Sequence, residues 1–219
     1  MKFKHIAVEG PIGVGKTSLV DLLVQRFDAL KVLERTENPF LEGFYRDKPG
    51  AAFQAQLFFL LNRYQQQREL TQGDLFNQVR LSDYIFAKDK IFAYLNLDDS
   101  ELMIYEKLYA LLEQNIPRPD LVIYLQASDK VLLERIRRRS RDYEVGISER
   151  YVAELNRAYN YFFFHYTATP LLVLDTSDID FVERVDDLNE LVTQIDQMEK
   201  GVQYYIPLGA GDGPRRKSK

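Results

Sequence analysis

Short apolar runs along the chain alternate with longer stretches in which apolar residues return every three or four positions. Ile6-Ala7-Val8, Val32-Leu33, Val79-Arg80-Leu81, Leu121–Leu125 and Leu171–Leu174 have the length of buried strands. Between them, residues 16–28 place Leu19, Leu22, Leu23 and Phe27 on one stripe. Residues 128–140 begin with Ser128-Asp129, both capping residue types, and turn Val131, Leu132 and Ile136 inward. Five strands interleaved with helices predict an α/β fold: a parallel sheet with helices on both faces, in one domain over residues 1–205. Such sheets bind ligands beyond the carboxyl ends of their strands, so the residues just after each apolar run are the first candidates for chemistry. Residues 206–219 are rich in glycine and basic side chains, which predicts a disordered, solvated tail.

Composition narrows the class. With 219 residues, 46% hydrophobic and 28% charged, the chain is an ordinary globular one that needs no staple. The absence of cysteine excludes a disulfide framework, cysteine-ligated zinc and thiol catalysis, and two histidines leave little material for a histidine-rich metal site. A net charge of −4 argues against general nucleic-acid affinity. The charged start Met1-Lys2-Phe3-Lys4-His5 runs into a short apolar segment without a cleavage-site pattern, and the apolar stretch Leu57–Leu61 falls far short of the ~20 residues of a membrane span; both predict a cytoplasmic protein that does not engage membranes.

The sharpest motif is Gly10-Pro11-Ile12-Gly13-Val14-Gly15-Lys16-Thr17, which fits G-x-x-x-x-G-K-[ST] between a predicted strand and a predicted helix. There the glycines let backbone N–H groups face phosphates, the helix N-terminus adds positive potential, Lys16 reaches the outer phosphates and Thr17 can bind Mg²⁺. ATP or GTP is the expected ligand. The segment Gln126-Ala127-Ser128-Asp129 does not match the Asn-Lys-x-Asp guanine signature, so phosphoryl transfer to a small acceptor is the leading class. That chemistry needs cations around the moving phosphate and a carboxylate near the acceptor hydroxyl.

Both are present in the sequence. Arg135, Arg137, Arg138, Arg139 and Arg141 crowd five guanidinium groups into seven residues. Like charges at i,i+4 repel by about 0.2–0.5 kcal/mol per pair, so a shared anion under an arginine-rich lid explains them, although Glu134, Asp142 and Glu144 could offset a merely solvated helix end. Glu34 and Asp83 follow the second and third apolar runs and should reach the crevice. Asp83 is the candidate general base, helped or replaced by Glu34; the alternative for Asp83 is a turn or capping acid. The aromatic cluster Tyr159–Tyr166 reads as a helix end packed in the core or a dimer interface, with His165 a hydrogen-bonded bystander.

These residues together resemble the deoxynucleoside kinases, of the deoxycytidine, deoxyguanosine and bacterial deoxyadenosine kinase type, over nearly the whole chain before the tail. The resemblance rests on the phosphate loop Gly10–Ser18, on Phe44-Tyr45-Arg46-Asp47 followed by Gln56 and Arg63, on Asp83–Ala93, and on the lid Arg135–Ile147. It implies a P-loop kinase fold that transfers a phosphoryl group from ATP-Mg²⁺ to the 5′-hydroxyl of a deoxynucleoside in nucleotide salvage, as a homodimer. By the same resemblance Arg135, Arg139 and Arg141 match the lid arginines: Gly10 to Ser18 with Arg135 and Arg139 hold ATP, Lys16 with Arg135, Arg139 and Arg141 stabilises the moving phosphoryl group, Thr17 and Asp83 place the metal, and Glu34 meets the 5′-hydroxyl. Tyr45 and Glu144 are similar to the pair that holds the 3′-hydroxyl; Gln56 and Arg63, seven apart, match the pair that reads the base edge, and Asp89 matches that arginine's acidic partner. Thr176-Ser177-Asp178 corresponds to the loop beside adenine. Purine deoxynucleosides or deoxycytidine are the bases this pattern favours.

One departure stands out. The family carries Glu-Arg-Ser or Asp-Arg-Ser after the third strand, whereas this chain reads Asp83-Tyr84-Ile85, leaving Arg80, Lys88 and Lys90 as the nearby cations. Two other readings stay open at this level. One is a nucleoside monophosphate kinase of the thymidylate kinase type, with Arg46 or Arg63 on the acceptor phosphate. The other is a nucleotide-binding protein that has lost catalysis, favoured by Tyr84.

Overall fold

The computed structural model describes residues 2–72, 79–139, 147–177 and 185–206. Its sheet is parallel throughout, in the order β2-β3-β1-β4-β5-β6. The five expected strands are β1 (His5–Glu9), β2 (Leu30–Val32), β3 (Arg80–Ser82), β4 (Leu121–Gln126) and β5 (Leu171–Asp175). A sixth, β6 (Val202–Tyr205), corrects the expected count of five. A search for buried runs misses it because it is an edge strand: Val202 and Tyr204 are exposed and Gln203 lies between them, so no continuous apolar run marks it.

The strand interiors show why continuous apolar runs mark this fold. Ile6 and Val8, Leu121, Ile123 and Leu125, and Leu172 and Leu174 pack on one side with α1 (Lys16–Phe27), α6 (Asp129–Arg139) and α8 (Val185–Gln197). The intervening Ala7, Val122, Tyr124, Leu171 and Val173 pack on the other with α7 (Glu149–Phe164) and Ile91 of α4 (Lys88–Asn96). Alternate residues face opposite layers and both layers are covered. A further cluster, Leu60, Phe86, Ala93, Tyr105 and Tyr109, joins α4 to α3 (Ala51–Gln72) and α5 (Asp99–Glu113). The short α2 (Leu41–Tyr45) precedes α3. Within the cluster Tyr159–Tyr166, Tyr159 and Phe163 are core residues and the His165 ring nitrogen Nδ1 bonds the Tyr161 carbonyl at 2.8 Å, the bystander role expected of it.

From β1 the chain crosses to β2 at the edge, returns to β3 and then passes to β4 on the other side of β1. The strand order therefore reverses around β1, and its carboxyl end opens the crevice where such sheets bind ligands.

Candidate active site

The phosphate loop occupies that position. Gly10 has φ +155°, and a Cβ on it would lie 2.5 Å from the Leu125 carbonyl oxygen; Gly13 has φ +85°, and its Cβ would lie 2.8 Å from Ile136 and 2.9 Å from the Leu132 carbonyl oxygen. Only glycine lets the loop lie this close against β4 and α6. Lys16, the first residue of α1, donates to the carbonyls of Gly10 (2.6 Å) and Pro11 (3.2 Å). Burial, with the nearby Lys88 ammonium, pulls its pKa down to about 8. Glu9 at the end of β1 is fully buried and braces the loop, accepting from Gly10 N (2.9 Å), Ile85 N (3.0 Å) and the Tyr159 hydroxyl (3.2 Å).

Two carboxylates meet beside Thr17. The Thr17 hydroxyl donates to Asp83 Oδ2 at 3.0 Å, and Asp83 Oδ1 accepts from the backbone N–H of Glu34 at 2.7 Å. Placing strands β2 and β3 side by side is what brings Glu34 and Asp83 together, 49 positions apart in sequence. Glu34 Oε1 accepts from Arg63 Nε (2.9 Å) and Nη2 (2.6 Å), and its Oε2 accepts from Lys88 Nζ at 2.6 Å. Burial alone would raise the Glu34 pKa, but Lys88 and Arg63 overcome it and hold the carboxyl at about 2. The pair is reciprocal: although burial opposes it, Glu34 and Glu9 raise the Lys88 pKa above its ordinary value.

The helical wall reads as sequence spacing suggested. Gln56 and Arg63, two turns apart on α3, both line the same open cavity of about 180 Å³, together with Glu34, Tyr45, Asp83 and Lys88. Asp89 is fully buried behind Arg63: it pairs with the guanidinium and accepts from the Tyr105 hydroxyl at 3.0 Å, so it positions the arginine and does not line the cavity. Gln56 Nε2 donates to the Asp89 carbonyl at 3.0 Å. Phe59, Phe92 and Tyr151 add aromatic faces that sequence reasoning missed. Helical spacing contains the first two, since Phe59 lies between Gln56 and Arg63 and Phe92 is four residues after Lys88; Tyr151 arrives from α7 with no local signal.

The arginines separate. Arg139 lines the cavity, whereas Arg135 is tied to backbone: it donates to the Val14 carbonyl (3.2 Å) and to Thr176 at Oγ1 (3.1 Å) and the carbonyl (2.8 Å), pinning α6 to the phosphate loop and to the end of β5. Arg137 pairs with Glu149. Arg141, Glu144 and Asp178 lie outside the described residues. Arg46 pairs with Glu42 on the surface rather than in the cavity. Tyr84, at the departure from the family pattern, is buried toward α3, donating to Gln66 Oε1 (2.8 Å) and accepting from Gln67 Nε2 (2.9 Å).

The oxygen set of the Thr17 hydroxyl and the Asp83 carboxylate fits Mg²⁺, which binds through one or two carboxylates plus substrate phosphates and needs no cage of protein ligands. No group of three or more His, Cys, Asp or Glu suited to a metal occurs among the described residues, as that mode of binding allows.

The family model for deoxynucleoside kinase matches residues 6–200. The chain belongs to the deoxynucleoside kinase family. It is 35% identical to a deoxyguanosine kinase of Bacillus subtilis (strain 168) over 199 residues, covering 88% of this chain and 96% of that one. To the same organism's deoxyadenosine/deoxycytidine kinase it is 31% identical, covering 87% and 90%. A solved deoxyadenosine kinase from M. mycoides with bound dCTP superimposes with a TM-score of 0.73 at 25% identity, covering 89% of this chain and 100% of that one. As a member of that family the chain has the P-loop kinase fold expected of it. Among the described residues no helix is long and apolar enough to cross a membrane.

Proposed function

We propose that this ATP-dependent deoxynucleoside kinase seats its acceptor between Gln56 and Arg63 at the base and Glu34 and Asp83 at the 5′-hydroxyl, with a purine or cytosine as the base. The observation that carries this is the continuous chain Thr17–Asp83–Glu34–Arg63, which joins the phosphate loop to the helical wall within one cavity. Gln56 can offer a planar base one donor and one acceptor, and the Arg63–Asp89 pair presents a fixed polar edge beside it. Tyr45 lies on the sugar side, and Glu144 is its proposed companion at the 3′-hydroxyl.

Lys16, Arg139 and the loop amides hold the phosphates, and we place Arg141 of the lid with them. Thr17 and Asp83 would hold Mg²⁺, which would supply positive charge to neutralise what develops on the phosphates. Asp83 is bonded to Thr17 and sits on the metal side, which leaves Glu34, on the side of Arg63 and Lys88, as the carboxylate to face the hydroxyl. Two copies of the chain are proposed to form the working unit. The apolar side chains Met103, Ile104 and Leu111 on α5 and Tyr161 and Phe164 on α7 are more than half exposed, which supports a covered face.

The test is ADP release from ATP-Mg²⁺ with each of the four deoxynucleosides, run beside their monophosphates. Turnover on a deoxyadenosine, deoxyguanosine or deoxycytidine acceptor is expected. Turnover on monophosphates alone would reject this acceptor site.

A further inference from the structure

Three cations stood near the position where the family's arginine is missing, and the structure separates them. Arg80 begins β3, at the end of the strand opposite Asp83, and donates to the Leu70 carbonyl at 3.4 Å. Lys90 sits 4.2 Å from the centre of the Tyr109 ring, in the layer between α4 and α5. Lys88 alone of the three lines the cavity. Tyr84 itself is committed to Gln66 and Gln67 on α3 and does not line the cavity.

Lys88 is buried, and among the described residues its ammonium makes one hydrogen bond, the 2.6 Å contact to Glu34, so it keeps two further N–H groups. Lys16 and Lys88 both line that cavity. Lysine carries a compact charge on a flexible stem and can exchange one anion for another without losing its own proton. We propose that Lys88 is a catalytic residue: its ammonium passes from Glu34 to the phosphoryl group during transfer, and Glu34, released from one of its two cations, receives the proton of the 5′-hydroxyl. This rests on the acceptor site proposed above.

The balance is complete with the two substrates. The 5′-oxygen forms a bond to the γ-phosphorus, and the bond from that phosphorus to the bridging oxygen breaks with its electron pair leaving on ADP. The hydroxyl proton goes to Glu34 and then to water, while Lys88 stays an ammonium throughout. The physical gain is timing. While Lys88 and Arg63 both hold Glu34 it is a poor base, and it becomes a better one when charge is moving onto the phosphoryl oxygens. Glu34 is faced by Arg63 from α3, Lys88 from α4, Asp83 after β3, Lys16 from α1 and Tyr159 from α7; Lys88 is faced by Glu34, Glu9, Arg63 and Lys16.

The test compares the full chain with Lys88→Met, Lys88→Gln, Lys88→Arg and Lys90→Met, measuring kcat and the KM for each substrate. For Lys88→Met we expect kcat to fall about 100-fold or more, as when one donor to a transition-state oxygen is removed, with KM for ATP changed less than about threefold. Lys88→Arg should restore at least about tenfold of the lost kcat. Lys90→Met should keep the wild-type kcat. A Lys88→Met or Lys88→Gln enzyme with wild-type kcat, or a loss confined to the KM of the nucleoside, would overturn the assignment; Lys88→Gln carries the test should Lys88→Met not fold, since its amide can still bond Glu34. A wild type that turns over no deoxynucleoside overturns the acceptor site as well, whereas a wild type that turns over with an unaffected Lys88 variant overturns this inference alone.

Discussion

The phosphate end of the cavity is built from backbone: two glycines pressed against β4 and α6, a helix N-terminus, and a lysine held on loop carbonyls within seven residues of sequence. The end proposed for the nucleoside is built from side chains drawn from α3, α4 and the ends of β2 and β3, with its charges paired to one another. A backbone site binds through groups that no substitution removes, and it fails when shape is lost. A site of buried pairs fails when one member is removed, because the partner charge stays behind in a poorly solvated place.

Breaking the junction between the two ends should have the largest effect. Asp83→Asn can still accept from the Glu34 N–H but turns an amide N–H toward Thr17 and loses the charge there; turnover should fall by about 10³-fold or more, the scale of lost electrostatic stabilisation at a reacting centre, while ATP still binds by titration calorimetry. Full activity in that variant would remove Asp83 from the mechanism. Next comes Arg63→Met, which leaves Glu34 and Asp89 without their shared guanidinium. Urea unfolding should show a loss of about 3–5 kcal/mol, the cost of breaking a buried pair. Lys16→Met, at the backbone end, should cripple turnover without a comparable loss of stability, since burial already disfavours that charge.

Shape is the weakness of the phosphate end, and Gly13→Ala tests it. The added methyl meets Ile136 and the Leu132 carbonyl at a positive φ, so a cost of about 1–3 kcal/mol and weakened ATP binding are expected, against a null effect if the loop is pliable. The smallest signals are in pH. Lys16 has a lowered pKa of about 8, so its ammonium is lost as pH rises through that value and kcat/KM for ATP should decline above about pH 8. Glu34 is depressed from 4.5 to about 2, so its ion pairs contribute stability that is present above pH 4.5 and lost as pH falls toward 2; acid titration of the unfolding midpoint measures it.

The contrast also explains what the sequence disclosed. The phosphate loop was legible because every part of it is local, and Glu34 and Asp83 because strand ends in a parallel sheet point to one crevice. The resemblance supplied Gln56 and Arg63, seven apart, as well as Asp89 as the arginine's partner. Spacing could not say that Lys88 rather than Arg80 or Lys90 faces the cavity, since that depends on how α4 is rotated against α3 and α5. Arg135 looked like one more lid cation, yet its guanidinium serves as a backbone clasp, a role set by the distant Val14 and Thr176. Strand β6 was hidden by its exposure, and Tyr151 by its arrival from another helix.

Tyr84 has a consequence beyond the loss of an arginine. By joining the residue after Asp83 to Gln66 and Gln67, while Gln66 also donates to the Leu33 carbonyl beside Glu34, it ties the acid end of the cavity to α3. On the proposed acceptor site, the distance from base edge to 5′-oxygen would then be set by these ties, and an acceptor would be selected by length as well as by hydrogen bonds.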